Sequence, residues 1–197
     1  MQACYGIDIG GTKIELAAFD AGLQPLHRQR IDTPGRDYPA FLAAVAGLVQ
    51  AADAVLGQPA AAVGIAMPGV RDPDSGRLLS ANVPALTGQR VQEDLQHRLQ
   101  RPLQFGNDMQ CFALSEANGG AAECQPSMLG AILGTGAGGG YCVHGRLVSG
   151  YNGIAGEWGH MPLPWPTAQE HPGPECWCGR RNCLELWVSG TGFTRDH

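Results

Sequence analysis

Tyr5-Gly6-Ile7-Asp8-Ile9-Gly10-Gly11-Thr12-Lys13-Ile14-Glu15-Leu16 runs from an apolar strand through a turn of small residues into a second strand. Far downstream, Ala131-Ile132-Leu133-Gly134-Thr135-Gly136-Ala137-Gly138-Gly139-Gly140-Tyr141-Cys142-Val143 repeats that build. A turn of Gly and Thr keeps side chains out of the way, so several backbone N–H groups and a hydroxyl can converge on an anion. One such hairpin is a weak signal, and neither fits the Walker or the dinucleotide-binding pattern. Two in one chain suggest duplicated lobes gripping a polyphosphate from both sides. Asp8 ends the strand beneath the first turn, where a carboxylate can hold Mg²⁺ against phosphates. Lys13, in the same turn, is the only lysine of the chain.

Outward from the first hairpin, strands are expected at 4–9, 14–19 and 26–31. Apolar residues at Phe41, Leu42, Val45, Leu48, Val49, Ala52, Val55 and Leu56 predict an amphipathic helix over 39–56 with Pro39 in its first turn. A strand at 61–66, a helix through Val91, Leu95 and Leu99, a strand at 102–105 and a helix over 108–117 follow. This alternation after an antiparallel start predicts an α/β fold with a mixed sheet. Asn118-Gly119-Gly120 suits a helix end, which places the lobe boundary there: 1–118 and 119–197. Strands are expected again at 128–133, 140–143 and 146–149, then loops, with a last helix near Cys183. The second lobe shows no helix long enough to cover its sheet, so the chain reads as a fragment lacking closing helices.

The 197 residues are 44% apolar and 16% charged, an ordinary globular composition, with a net charge of −5 and no Lys/Arg cluster. Those values argue against a nucleic-acid surface. No apolar run approaches a membrane span, and no signal peptide is visible, so the cytoplasm is the expected compartment. Seven cysteines without a secretion signal argue against a disulfide framework. Cys4, Cys111 and Cys142 read as buried small hydrophobes. His160, Cys176, Cys178 and Cys183 differ: the tight Cys-x-Cys-x₄-Cys run with one histidine is a structural zinc set. Zinc there would pin the 153–185 loop.

Read in order, Asp8-Ile9-Gly10-Gly11-Thr12-Lys13, Gly64-Ile65-Ala66-Met67-Pro68-Gly69, Ala81-Asn82-Val83-Pro84, Asn107-Asp108, Leu133-Gly134-Thr135-Gly136, Gly156-Glu157-Trp158-Gly159-His160 and Cys176-Trp177-Cys178-Gly179-Arg180-Arg181-Asn182-Cys183-Leu184-Glu185 resemble the ROK family of sugar kinases and repressors. The resemblance covers essentially the whole chain. It implies an actin-like ATPase (ribonuclease-H-like) two-lobe fold, with the active site between lobes and the second lobe incomplete. It implies ATP-dependent phosphorylation of N-acetylglucosamine at the 6-hydroxyl, or of another hexose by a glucokinase, fructokinase or mannokinase. A truncated sugar-binding remnant without turnover is the third alternative. A sugar-responsive repressor would need a DNA-binding segment ahead of Asp8, where only seven residues stand.

The residue roles follow from the resemblance. Gly6 to Lys13 (Gly6, Ile7, Asp8, Ile9, Gly10, Gly11, Thr12, Lys13) and Gly134 to Tyr141 (Gly134, Thr135, Gly136, Ala137, Gly138, Gly139, Gly140, Tyr141) would bind ATP with magnesium. Asp108 alone reads as a helix cap, and the family likeness makes it the general base. Gly69, Asn82, Asn107, Asp108, Glu157, His160 and Glu185 would line the sugar pocket. Expected partners are ATP and an amino sugar or hexose, with no nucleic acid and no membrane; the family allows a homodimer. Met109-Gln110 departs from the family's usual Ala-Asn.

Overall fold

The first glycine hairpin forms as β1 (Cys4–Ile9) antiparallel to β2 (Lys13–Phe19), which pairs in turn with β3 (Pro25–Asp32). Tyr5, Ile7 and Ile9 of β1 and Ile14, Leu16 and Ala18 of β2 alternate into the core. A one-residue slip would turn all of them to solvent, so this burial sets the register. Downstream lie α1 (Tyr38–Leu56), β4 (Ala62–Met67), a ribbon of β5 (Val70–Arg71) and β6 (Leu78–Leu79), α2 (Val91–Leu99) and β7 (Leu103–Asn107). The sheet runs β3-β2-β1-β4-β7, with β1, β4 and β7 parallel.

The computed structural model describes residues 3–196. They divide into two units between Asp108 and Met109.

In the first unit, the Asp37 carboxylate accepts the Ala40 N–H at 2.9 Å to cap α1, and Gly57 ends the helix at φ 69°. Phe41, Val45, Ala46, Leu48, Val49 and Ala52 pack α1 into the core. Contrary to the sequence expectation, α1 is long and apolar enough to cross a membrane. Its buried face, and Asp53 held by Arg101 at 2.7 and 3.1 Å and by the Tyr5 hydroxyl at 3.0 Å, give it instead the place of a core helix.

The second unit contains nearly all of α3 (Asp108–Ala117), followed by β8 (Ser127–Leu133), β9 (Ala137–Val143) and β10 (Arg146–Leu147), a three-stranded antiparallel sheet. The division therefore falls after 108 rather than after 118. The cause is close packing: a Cβ built on Gly130 or Gly140 would lie 3.0 or 2.7 Å from the Ala113 Cβ. These glycines let α3 lie directly on β8 and β9, with Ala113, Ala117 and Cys142 buried in a small core and Met128 and Leu147 against it. So this sheet does have a covering helix, one the sequence reading had placed in the first lobe. Its other face leaves Leu129 and Leu133 about 60% exposed (58% and 62%). Loops containing a 3₁₀ turn at Trp158–His160 lead to two short helices, α4 (Glu185–Val188) and α5 (Gly190–Asp196).

Candidate functional site

The first turn, Gly10 to Thr12, is held by its own neighbours. The Gly10 N–H donates to the Lys13 carbonyl at 2.8 Å. Thr33 grips the turn twice, its hydroxyl donating to the Gly10 carbonyl at 2.8 Å and its N–H to the Thr12 carbonyl at 2.9 Å. The Gly11 and Thr12 N–H groups have no protein acceptor among the described residues, and both residues are exposed. Gly11 is glycine for a local reason: a Cβ there would lie 2.9 Å from the Asn82 carbonyl. One expected sugar residue, Asn82, thus sits against the expected phosphate turn.

Asp8 stands beside Glu15 across the hairpin, and its side chain reaches solvent. Burial of its surroundings and the Glu15 charge raise its pKa, and Arg30 partly offsets them. Arg28 and Arg30 both pair with Glu15 and hold its pKa down despite some burial. One carboxylate beside an exposed glycine turn suits Mg²⁺, a hard cation that takes most of its ligands from phosphate and water.

At the end of β7, the Asn107 amide donates to the Gly69 carbonyl at 3.4 Å, joining two expected sugar residues. Gly69 has φ 116°, a backbone conformation that side chains rarely adopt. Asp108 is the first residue of α3 and is half-buried. A carboxylate at a helix N-terminus is favoured by the helix dipole.

The second turn resembles the first. The Gly134 N–H donates to the Gly136 carbonyl at 2.9 Å, and the Thr135 and Gly136 N–H groups have no protein acceptor among the described residues. The other expected ATP residues of this segment are occupied differently. The Ala137 N–H donates to the Glu185 carboxylate at 2.9 Å, so it is already engaged within the protein. Gly138, Gly139 and Gly140 are buried. A Cβ would lie 3.1 Å from the Trp158 indole nitrogen at Gly139 and 2.9 Å from the Gln110 Cα at Gly140. The structure gives these glycines a packing role, and leaves Thr135 and Gly136 as the open part of the turn.

His160, Cys176, Cys178 and Cys183 converge, with all four ligand atoms within 4.8 Å of one another. The Cys176 sulfur lies 3.6 Å from His160 Nδ1, and the Cys178 and Cys183 sulfurs are 3.6 Å apart. A tetrahedral zinc with thiolate ligands at about 2.3 Å places them about 3.8 Å from each other, so the donor set fits that ion. Burial and the adjacent thiols push Cys183 up to about 12, and burial raises Cys176. Cys178 is also partly buried, but the Arg180 N–H and the neighbouring thiols hold it below the ordinary range. A bound cation would favour all three thiolates at once. Nδ1 of His160 faces the thiols, so Nε2 is on the far side of the ring.

Two side chains outside the expected binding residues hold this part together. Gln110, 7% exposed, donates to the carbonyls of Gly153 at 3.0 Å and Ala155 at 3.4 Å, anchoring the loop before Glu157. The Met109-Gln110 departure was the only sequence signal for it. Trp177 donates to Glu185 at 3.0 Å, and its ring stands edge-on to His160 with centroids 4.9 Å apart. Glu185, expected at the sugar, thus has both carboxylate oxygens already accepting hydrogen bonds.

Comparison with known proteins fits this geometry. The model for the ROK family matches residues 4–197. A protein of Shewanella sp. strain ANA-3 named N-acetylgalactosamine kinase is 48% identical over 97% of this chain and 62% of its own length. An N-acetyl-D-glucosamine kinase of Pectobacterium atrosepticum is 46% identical over 96% of this chain and 63% of its own. The chain thus spans less than two thirds of the length of these curated relatives. Among solved structures, a ROK hexokinase from Thermus thermophilus superposes with a TM-score of 0.82 at 32% identity, covering 99% of this chain and 63% of that one. A ROK-family glucokinase from Streptomyces griseus, solved with glucose and AMPPNP, also gives 0.82, at 28% identity over 98% of this chain and 59% of that one. The expected mixed α/β, actin-like ATPase class is the one these neighbours share.

Proposed function

The chain belongs to the ROK family, and from that premise we propose that it is an ATP-dependent sugar kinase acting on the 6-hydroxyl of N-acetylglucosamine. The observation that carries this reading is the pair of like-built turns, each offering a Thr hydroxyl and two N–H groups without protein acceptors among the described residues. Gly11 and Thr12 from one turn, and Thr135 and Gly136 from the other, bind phosphate oxygens of the nucleotide. Lys13 adds charge beside the first turn. Asp8 holds Mg²⁺, which when bound neutralises charge on the phosphates.

Asp108 accepts the proton of the sugar hydroxyl. Phosphoryl transfer has a loose transition state, so aiming that oxygen matters more than removing its proton early. Asn82, Asn107 and the Gly69 backbone bind sugar hydroxyls, as do Glu157 and His160 Nε2. Zinc, held by His160, Cys176, Cys178 and Cys183, is structural: it fixes the loop that carries these groups.

The experiment is ADP release from MgATP with a panel of sugars. Faster release with N-acetylglucosamine than with glucose, fructose or mannose supports the reading, and release that ignores the sugar refutes it. The panel includes N-acetylgalactosamine because of the 48% identity to the Shewanella protein. A preference for it would keep the kinase and change the sugar. Sugar binding without any ADP release would favour a binding protein.

A further inference from the structure

The segment from Glu185 to Thr191 grips the second glycine turn at three points. The Glu185 carboxylate accepts the Ala137 N–H at 2.9 Å. The Gly190 N–H donates to the Gly134 carbonyl at 2.8 Å, and the Thr191 hydroxyl to the Thr135 carbonyl at 2.9 Å. The turn's own cross-bond, Gly134 to Gly136, joins residues of the turn to each other and does not fix them to the rest of the unit. Its other fixed points are β8 and β9.

Glu185 is tied in the other direction too. Its second oxygen accepts the Trp177 indole N–H at 3.0 Å. Trp177 lies in sequence between Cys176 and Cys178, and its ring stands at 83° to the His160 imidazole. An unbroken chain of contacts therefore runs from the His/Cys₃ cluster through Trp177 and Glu185 to the turn. Only a carboxylate serves at its centre, because both of its oxygens accept; an amide accepts through one atom and donates through the other. Gly136 leaves room for this: a Cβ there would lie 2.7 Å from the Glu185 oxygen.

We propose that Glu185 and Trp177 are positioning residues that couple the metal cluster to the second glycine turn, so that the metal sets how firmly the Thr135 and Gly136 N–H groups are held. This rests on reading that turn as a phosphate site. The turn loosens when the cluster is empty and tightens when it is filled, with no contact between metal and nucleotide. Binding an anion on a pre-ordered turn then carries a smaller ordering cost.

Amide hydrogen exchange at Ala137 tests the coupling without any turnover. The chain is compared, with its metal bound, as wild type, Trp177→Phe and Glu185→Gln. Phenylalanine keeps a ring against His160 and removes the N–H. Glutamine keeps the size and loses one acceptor. Loss of one hydrogen bond to a charged group should speed exchange at Ala137 by about 10–100-fold in each variant. Amides of β1, in the other unit, should not change.

Stripping the metal with a chelator should accelerate Ala137 in wild type and add less in Trp177→Phe. If stripping unfolds the unit, the amides across β8 and β9 accelerate together, and the two metal-loaded variants carry the test. Unchanged exchange at Ala137 in both variants overturns the coupling. AMPPNP affinity, measured by calorimetry on the same samples, separates the two claims. Faster exchange with weaker AMPPNP binding supports both. Faster exchange with unchanged binding upholds the coupling and removes the turn from the phosphate site.

Discussion

Replacing Gly140 with alanine places a methyl group where α3 leaves no room. The new Cβ would lie 2.7 Å from the Ala113 Cβ, 2.9 Å from the Gln110 Cα and 3.1 Å from the Met109 carbonyl. Carbon atoms rest about 3.5–4.0 Å apart, so helix and strand must separate by roughly 1 Å. None of these neighbours is the end of a flexible side chain, and no rotamer change relieves the contact. Overpacking of this kind costs about 1–3 kcal/mol. At about 2–4 °C per kcal/mol for a chain of this size, Tm should fall by roughly 2–12 °C. All four tryptophans (Trp158, Trp165, Trp177 and Trp187) lie in the second unit, so their fluorescence follows its thermal unfolding selectively. Ala113→Gly removes the nearest obstacle, at about 1 kcal/mol of helix propensity. The double variant should therefore lose less than the sum of the singles, by at least about 0.5 kcal/mol. A Gly140→Ala chain as stable as wild type, or a strictly additive cycle, would show that α3 does not pack on β9 as described.

Asp53→Asn breaks the fork from Arg101 and should cost about 1.5–3 kcal/mol by denaturant unfolding near pH 7. Burial raises the Asp53 pKa, but the bonds from Arg101, Tyr5 and Ala60 outweigh it and set it below the ordinary value. Its stabilisation is therefore present above pH ~4 and lost as pH falls through the lowered pKa, so wild type and variant should converge in acid. Asp8 has the opposite sign: its raised pKa means that ionisation costs stability as pH rises past the ordinary carboxylate value. Asp8→Asn should unfold no earlier than wild type at pH 7, while Mg²⁺-dependent nucleotide affinity, read by calorimetry, falls about 10-fold or more. Elemental analysis should find zinc bound to the chain, and Cys178→Ser should lose it. Lowering the pH should release it as the thiolates take up protons.

The parts of the fold that local chemistry dictates were legible in the sequence. The β1–β2 hairpin follows from apolar alternation around Gly10-Gly11, and α1 from its 3.6-residue spacing and Pro39 in its first turn. The His160–Cys176–Cys178–Cys183 cluster was legible because those side chains in so short a run have few other uses. What depends on tertiary partners was not. Gly138 to Gly140 look like more of the anion loop, since a glycine that makes room for a helix reads the same as one that makes room for a phosphate. The boundary was displaced for the same reason: α3 packs through Ala113, a residue too small to mark an apolar stripe. Glu185 carried no sign that both of its oxygens would be taken, because its partners, Ala137 and Trp177, are set by the fold. α5 begins Gly190-Thr191-Gly192, poor helix formers, and forms against the Glu185–Val188 turn before it.

If Asp108 aims a sugar hydroxyl at the phosphate of a nucleotide bound on the glycine turns, transfer to that hydroxyl depends on its carboxylate. The most direct measurement incubates the chain with γ-labelled MgATP and N-acetylglucosamine, follows label onto the sugar, and repeats this with Asp108→Asn. Label on the 6-oxygen, a rate about 10²–10⁴-fold lower in the variant, and sugar affinity within a few-fold of wild type are expected. Equal transfer by both chains, or label on a different oxygen, would contradict this reading.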